Sequence, residues 1–120
     1  AIWERFIEQN PQAFPMVAYD VAVGTGSELD TVVNQKTGGD VNRLYQRKID
    51  ALGETPTEFI LIEVKPNAST SAIGQVQGYV ELFKRDYQPA KAVRAMILTD
   101  RLLPEMEFLT RTAGVTIMIA

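Results

Sequence analysis

The chain has 120 residues, of which 46% are hydrophobic and 22% charged, and its formal net charge is −3. This composition is that of an ordinary globular protein, so residues 1–120 are expected to form one domain around one core rather than a disordered or fibrous chain. No apolar run approaches the ~18–20 residues that a membrane span needs, and no secretory signal is visible. We therefore expect no membrane partner, and a cytoplasmic location is the default.

The chain contains no Cys and no His. This excludes disulfides, thiolate nucleophiles, His-based acid–base catalysis and nearly every kind of zinc site. Any catalysis must use carboxylates, Lys, Tyr, Ser/Thr or amides, and any bound metal must take hard oxygen ligands, which favour magnesium, manganese or calcium. The sequence pI near 4.9 counts against a nucleic-acid partner at the level of global charge.

The first half of the chain predicts one helix and three strands. "IWERFIEQ", residues 2–9, has apolar residues at helical spacing, and "MVAYDVAVG", residues 16–24, is a β-rich run that ends in glycine. Ser27 with Asp30 favours a short helix, and residues 37–40 favour a turn. "LYQRKIDALG", residues 44–53, and "EFILIEVK", residues 58–65, are joined by only four residues, which predicts an antiparallel hairpin.

The second half predicts helices that alternate with strands. Ser69, Thr70 and Ser71 supply N-caps for a helix with an apolar stripe, formed by Ile73, Val76, Val80, Phe83 and Tyr87. A strand over 92–100, a helix from Pro104 to about Ala113 that Gly114 ends, and a strand over 115–119 follow. The predicted order is α-β-β-β-α-β-α-β, an α/β domain whose central mixed sheet is flanked by helices.

The apolar run Phe59–Ile62 ends in an acid and a base two residues apart. Glu63 and Lys65 should share one face of the strand, at its carboxyl end, where ligands gather in α/β sheets. Pro66 favours extended geometry at Lys65. A plain alternative is a salt-bridged pair at a sheet edge.

Asp50 precedes the hairpin connection, so its strand should lie beside the strand of Glu63. Two neighbouring carboxylates repel each other unless a cation lies between them. Lys65 could supply part of that charge and a divalent metal could supply more. On the following helix, Gln75 and Tyr79 are four residues apart and project from one face, with a plain surface and core-margin role as the alternative.

Together, "KID" (48–50), "IEVK" (62–65) and the Gln75/Tyr79 spacing resemble the PD-(D/E)xK nuclease superfamily. The residues Gln75 and Tyr79 on one helix are similar to the Q-x-x-x-Y motif of its RecB-like branch. The predicted topology is similar to a restriction-endonuclease-like core. Ile49 stands where the family name expects Pro. Asp20, Asp30 and Asp40 also precede Glu63, and Asp20 is the main alternative to Asp50.

The resemblance implies a metal-dependent nuclease that hydrolyses phosphodiester bonds, most often in DNA. It implies that Asp50, Glu63 and the backbone carbonyl of Val64 bind Mg²⁺ or Mn²⁺, with Glu8 of the first helix as a further ligand and Glu4 as an equal candidate. Lys65 would orient or help deprotonate the attacking water and offset phosphate charge. Gln75 would position Lys65 or the phosphate, and Tyr79 would support the site or touch the substrate backbone.

Two basic clusters are candidate DNA contacts, namely Arg43, Arg47 and Lys48 before Asp50, and Lys84 with Arg85 on the helix. Because the chain is acidic, its grip on DNA could also depend on a partner protein or an added domain. The resemblance also allows a homodimer, since small nucleases of this kind often dimerise to cut both strands. Phage, mobile-element and DNA-repair settings suit such a nuclease by analogy. Two alternatives remain: a catalytically inactive nuclease-like module that binds nucleic acid or a protein, and a structural protein in which Glu63 and Lys65 form a surface ion pair.

Overall fold

The computed structural model describes residues 1–24 and 47–120. The predicted short helix at Ser27, the predicted turn at residues 37–40 and the candidate DNA contact Arg43 lie outside the described residues. The first residues of the predicted strand 44–53 lie outside them as well.

The described elements follow the predicted order. They are α1 (Ile2–Gln9), β1 (Met16–Val23), β2 (Arg47–Glu54), β3 (Glu58–Val64), α2 (Thr70–Tyr87), β4 (Ala92–Thr99), α3 (Pro104–Ala113) and β5 (Thr116–Ile119). The predicted boundaries that lie in the described residues differ from these by at most one residue. The α/β class and the order of its elements are therefore confirmed.

The five strands form one mixed sheet in the order β1-β2-β3-β4-β5. The pairs β1–β2 and β2–β3 are antiparallel, and the pairs β3–β4 and β4–β5 are parallel. The β2–β3 turn is closed by the Thr55 amide, which donates to the Glu58 carbonyl at 2.9 Å, and by the Thr55 hydroxyl, which accepts from the Glu58 amide at 3.0 Å. The predicted hairpin is confirmed.

The sheet is covered by helices on both faces, which explains the unbroken apolar run of β3. Ile60 and Ile62 pack in a cluster with Ile2 and Phe6 of α1. Leu61 packs on the other face with residues of α2. Leu61 and Ile62 are both fully buried, and burial of each side chain stabilises the fold by roughly 1.5–3 kcal/mol. The central strand is thus anchored from both sides, and this fixes the position of its carboxyl end.

The helix ends agree with the sequence at α3 and differ in detail at α2. Pro104 begins α3, and Gly114 ends it with a φ of 72°. Ser69 is the N-cap residue of α2, but its side chain makes no capping hydrogen bond. Its hydroxyl lies 3.0 Å from the hydroxyl of Ser71 instead. The predicted N-cap position is therefore confirmed at Ser69, although its hydroxyl does not cap the backbone.

Candidate active site

The strands β2 and β3 stop pairing just before the predicted site. Their last backbone pair is Ala51 with Ile62. Beyond it, the amide of Val64 donates to Oδ2 of Asp50 at 2.9 Å, while the amide of Lys65 donates to the Leu98 carbonyl of β4 at 2.9 Å. The Asp50 side chain therefore continues the ladder where the backbone of β2 does not, and it is fixed at the carboxyl end of β3.

Glu63 is a buried acid at that same end. Only 6% of its surface is exposed, and its Oε2 atom has no hydrogen-bond partner among the described residues. Alternation along the strand puts Glu63 on the face of Leu61, which is the α2 side of the sheet. Burial, and then the negative charge of Asp50, raise the pKa of Glu63 to about 7. The alternative of a surface ion pair does not hold for Glu63, because its carboxylate is buried.

The donor set of this pair suits a hard divalent cation. A buried carboxylate oxygen without a partner is costly unless a proton or a cation satisfies it. Within residues 1–24 and 47–120, no third Asp or Glu completes a cluster of metal-ligating side chains. Mg²⁺ typically takes one or two carboxylates and fills its other positions with water and substrate phosphate, so two acids are sufficient.

Lys65 lies next to the acid pair without being neutralised by it. Its side chain is exposed, and it forms no ion pair with a carboxylate in the part of the chain that the structure describes. Its positive charge nevertheless acts on Glu63, where it opposes the effects of burial and of Asp50 on the pKa. The ammonium group is therefore near the acids and accessible to a bound anion.

Gln75 and Tyr79 form a hydrogen-bonded pair on α2. Nε2 of Gln75 donates to the Tyr79 hydroxyl at 3.0 Å. The Tyr79 ring is 8% exposed and packs with Leu61 of β3, on the face that also carries Glu63. Tyr79 thus belongs to the core through its ring and holds Gln75 through its hydroxyl. The spacing in the sequence indicated the shared face but not the bond.

The two glutamates of α1 occupy different places. Glu4 lines a cleft of about 570 Å³ that Asp50 and Val64 also line. Glu8 lines a neighbouring cleft, of about 450 Å³, whose lining does not include Asp50. The alternative Glu4 is therefore the one that shares a cleft with Asp50.

Asp20 lies on β1 directly opposite Asp50, between the pairs Tyr19–Ala51 and Val21–Ile49, and its side chain is exposed.

The basic residues of the first candidate cluster are accessible. Arg47 and Lys48 at the start of β2 are exposed. Arg47 lines a groove of about 300 Å³ together with Gln75 and Tyr79. This places a guanidinium group next to the Gln75–Tyr79 pair.

The second basic cluster is partly neutralised by neighbours on α2. Lys84 lies 4.0 Å from a carboxylate oxygen of Glu81. The Arg85 side chain pairs with Asp86 at 2.8 Å. Both basic side chains remain exposed, but their charges are offset locally, so they are weaker candidates for phosphate contacts than Arg47 and Lys48.

Trp3 and Tyr19 line the cleft of Asp50, although no pattern in the sequence indicates a role for them at this site. Trp3 counted only as part of the apolar pattern of α1, and Tyr19 as part of the β1 run. Their separation of 16 residues follows no local periodicity, so the sequence contains no signal that the two rings meet.

None of the helices in the two described ranges is long and apolar enough to span a membrane.

No protein-family model and no curated protein matches this sequence. Solved structures do match its fold. EndoMS in complex with double-stranded DNA is 17% identical with a TM-score of 0.55, over 99% of this chain and 43% of EndoMS. A repair endonuclease from Pyrococcus abyssi is 16% identical with a TM-score of 0.57, over 99% of this chain and 45% of the endonuclease.

A protein of unknown function, AF1548, is 14% identical with a TM-score of 0.60, over 96% of this chain and 53% of AF1548. At these identities the likeness shows a shared fold. The chain has the α/β architecture of these endonucleases, which agrees with the restriction-endonuclease-like core expected from the sequence. It spans less than half the length of EndoMS and of the Pyrococcus abyssi enzyme.

Proposed function

We propose that this chain is a single PD-(D/E)xK nuclease domain of the RecB-like branch, which uses a divalent metal to hydrolyse phosphodiester bonds in DNA. The observation that carries the proposal is the position of Asp50 beside the buried Glu63, whose Oε2 atom has no hydrogen-bond partner among the described residues. Burying a charged carboxylate lowers the free energy of unfolding, and such buried acids are found at sites that bind a cation.

The metal would be Mg²⁺ or Mn²⁺, held by Asp50, Glu63 and the backbone carbonyl of Val64. Since no third acid of the described residues clusters with this pair, Glu8 or Glu4 of α1 would reach the ion only through a bound water, and the shared cleft favours Glu4. When bound, such an ion lowers the pKa of a bound water and neutralises negative charge that develops on the phosphate.

The remaining residues act on the water and on the phosphate. Lys65 is exposed and free of ion pairs in the described part of the chain, so its ammonium group can orient the attacking water and offset phosphate charge. Gln75 is held by the Tyr79 hydroxyl, which leaves its carbonyl oxygen available to position Lys65. Tyr79 supports this arrangement from the core. The pair would thus serve as the Q-x-x-x-Y motif of the RecB-like branch.

DNA is the proposed substrate because the fold is shared with EndoMS and with a repair endonuclease. Arg47 and Lys48 would contact the phosphates on one side of the site. Two basic side chains are few for a stable complex with DNA, and the similar endonucleases are more than twice as long as this chain. We therefore propose that a second copy, a partner protein or a further domain contributes to DNA binding, in a repair setting.

The test is cleavage of single-stranded and plasmid DNA in Mg²⁺ or Mn²⁺, with EDTA as the control. Lys65→Ala removes the ammonium group without touching the acids, and Arg111→Ala removes an exposed cation of α3 that is not a candidate DNA contact, as the matched control. Cleavage that requires metal and is lost only in Lys65→Ala supports the proposal. If neither metal supports cleavage of either substrate, the chain is an inactive nuclease-like module, and the proposal is wrong.

A further inference from the structure

A cleft of about 570 Å³ opens beside the proposed metal site, and most of its surface does not belong to that site. Asp50 and Val64 are among its lining residues. Trp3 of α1 and Tyr19 of β1 line it as well, together with Arg5 and Asp100. The volume lies within the range of pockets that bind small molecules and is far larger than a hydrated metal ion requires. A further ligand, or another part of the substrate, would therefore fit in this space.

The two aromatic rings in the cleft hold each other in a fixed arrangement. Their centroids are 5.8 Å apart at an interplanar angle of 88°, and Nε1 of Trp3 donates to the Tyr19 hydroxyl at 3.2 Å. Trp3 also lies against Phe6 of the core, at 5.9 Å between centroids. Tyr19 is nevertheless 57% exposed. The Tyr19 ring is therefore held in place with part of its surface open, and it lies outside the core. A flat ligand could stack on this open surface.

The charges in the cleft favour a neutral ligand. Glu4, Asp50 and Asp100 contribute carboxylates, and the positive groups among the lining residues are the Arg5 side chain and the amino group of Ala1, which lies 3.5 Å from Oε2 of Glu4. Nη2 of Arg5 is engaged with the Ala120 carbonyl at 3.1 Å. The three acids outnumber these two positive groups, so the cleft is a poor site for a second phosphate. They would accept hydrogen bonds from the ring and exocyclic N–H groups of a nucleobase, which is flat, uncharged and able to stack on an aromatic ring.

We propose that this cleft binds an unpaired nucleobase of the substrate strand, next to the phosphate that the proposed metal at Asp50 would hold. The inference rests on the nuclease function proposed above and makes its substrate class specific. A base within a duplex is stacked and paired, so it cannot enter the cleft. The preferred substrate is therefore DNA with at least one unpaired nucleotide at the cleaved position, such as a single strand, an end or a mismatch.

Trp3 is the only Trp of the chain, so its fluorescence reports directly on the cleft. Three DNA ligands of equal length are titrated into the protein with Ca²⁺ in place of Mg²⁺: a single strand, the same strand with one abasic position, and the paired duplex. The single strand should quench Trp3 and bind at least tenfold more tightly than the duplex. The abasic strand should lose most of the quenching.

Tyr19→Ala removes the exposed ring, and Phe108→Ala removes a ring of α3 that is 63% exposed and does not line the cleft. Affinity for a labelled single strand, measured by anisotropy, should fall about tenfold in Tyr19→Ala and stay unchanged in Phe108→Ala. Equal affinities in the two variants, equal quenching by the abasic strand, or no quenching by any strand would overturn the inference. Both assays measure binding without DNA cleavage. If the chain binds the base but never cleaves DNA, the proposed nuclease function is wrong and the proposed base-binding cleft still stands.

Discussion

The carboxylate of Asp50 accepts a hydrogen bond at 2.9 Å from the backbone amide of Val64, beyond the last backbone pair of β2 with β3. The acid is thus held in place by the sheet itself, next to Glu63. Because Glu63 is buried and lies close to the charge of Asp50, its pKa is raised to about 7. The position of both acids is set by the fold before any cation binds, and this preorganisation has a measurable cost.

The cost should show as a pH dependence of stability in the metal-free protein. An acid whose pKa is raised by folding binds its proton more tightly in the folded state, so its contribution to the free energy of unfolding is lost as the pH rises from about 4.5 to about 7. Glu63→Gln keeps the side-chain shape and removes the titration. We expect the free energy of unfolding of Glu63→Gln, relative to that of the natural chain, to rise by up to about 3 kcal/mol as the pH goes from 4.5 to 8.

Urea denaturation at several pH values measures this difference. Glu81→Gln, which neutralises an exposed acid of α2, is the matched control and should leave the pH dependence in place. If Glu63→Gln and Glu81→Gln lose stability with pH in the same way, the raised pKa of Glu63 does not exist.

A divalent cation should stabilise the natural chain through Asp50 and Glu63. With Mg²⁺ at 100 times its Kd, the expected gain is about 2.7 kcal/mol. The gain should be larger at pH 8 than at pH 6, because a proton on Glu63 competes with the ion. Asp50→Asn should abolish it while the amide oxygen of the new side chain still accepts from Val64.

Thermal unfolding with Mg²⁺ or with EDTA measures this effect. Asp20→Asn is the control, because Asp20 lies opposite Asp50 on β1 and has a φ of 53°, a conformation that Asn tolerates. A gain that survives in Asp50→Asn and is lost in Asp20→Asn would move the metal site to the alternative acid.

The part of the site that the sequence could predict rests on short-range constraints. A connection of four residues leaves little choice but a hairpin, and this placed Asp50 beside the strand of Glu63. The i, i+4 spacing on a helix put Gln75 and Tyr79 on one face, and the structure joins them at 3.0 Å. In both cases the local geometry of one element, or of two elements directly joined, carries the information.

The part that the sequence could not predict depends on contacts between distant elements. Trp3 and Tyr19 meet only because α1 packs on the face of the sheet that Val17 of β1 also lines. The same packing decides which of Glu4 and Glu8 faces Asp50, since the two acids are one turn apart on an exposed side of α1. Periodicity identifies the buried stripe of a helix, but it does not fix where along the sheet the helix lies.

Gly53 of β2 should be intolerant of a side chain, although it lies in an ordinary strand. A Cβ atom at this position would lie 2.6 Å from Cδ1 of Phe14, so the aromatic ring would have to move. We expect Gly53→Ala to lower the free energy of unfolding by about 1–3 kcal/mol. Gly78→Ala is the matched control: no described atom lies within 4 Å of its added Cβ, and the higher helix propensity of Ala should raise the free energy by about 1 kcal/mol. Chemical denaturation measures both, and equal effects would contradict the close packing of Phe14.

The hydroxyl of Tyr79 should matter for cleavage more than for stability. Tyr79→Phe keeps the buried ring and removes the acceptor that holds Nε2 of Gln75 at 3.0 Å. The loss of one partly buried hydrogen bond costs about 0.5–1.5 kcal/mol of stability. If Gln75 positions Lys65 or the phosphate, we expect kcat for DNA cleavage to fall about tenfold with little change in KM, because the freed amide samples several rotamers.

Tyr87→Phe is the matched control for this experiment, since Tyr87 lies on the same helix and its hydroxyl donates to the Ala22 carbonyl at 2.7 Å. Tyr87→Phe removes a hydrogen bond of similar length that is not near the acids. The free energy of unfolding of this variant should fall by a comparable amount, while kcat stays at the value of the natural chain. Single-turnover cleavage assays beside urea denaturation of both variants separate the two effects. Equal kcat values for Tyr79→Phe and Tyr87→Phe would show that the Gln75–Tyr79 bond serves the fold of α2 and not the chemistry.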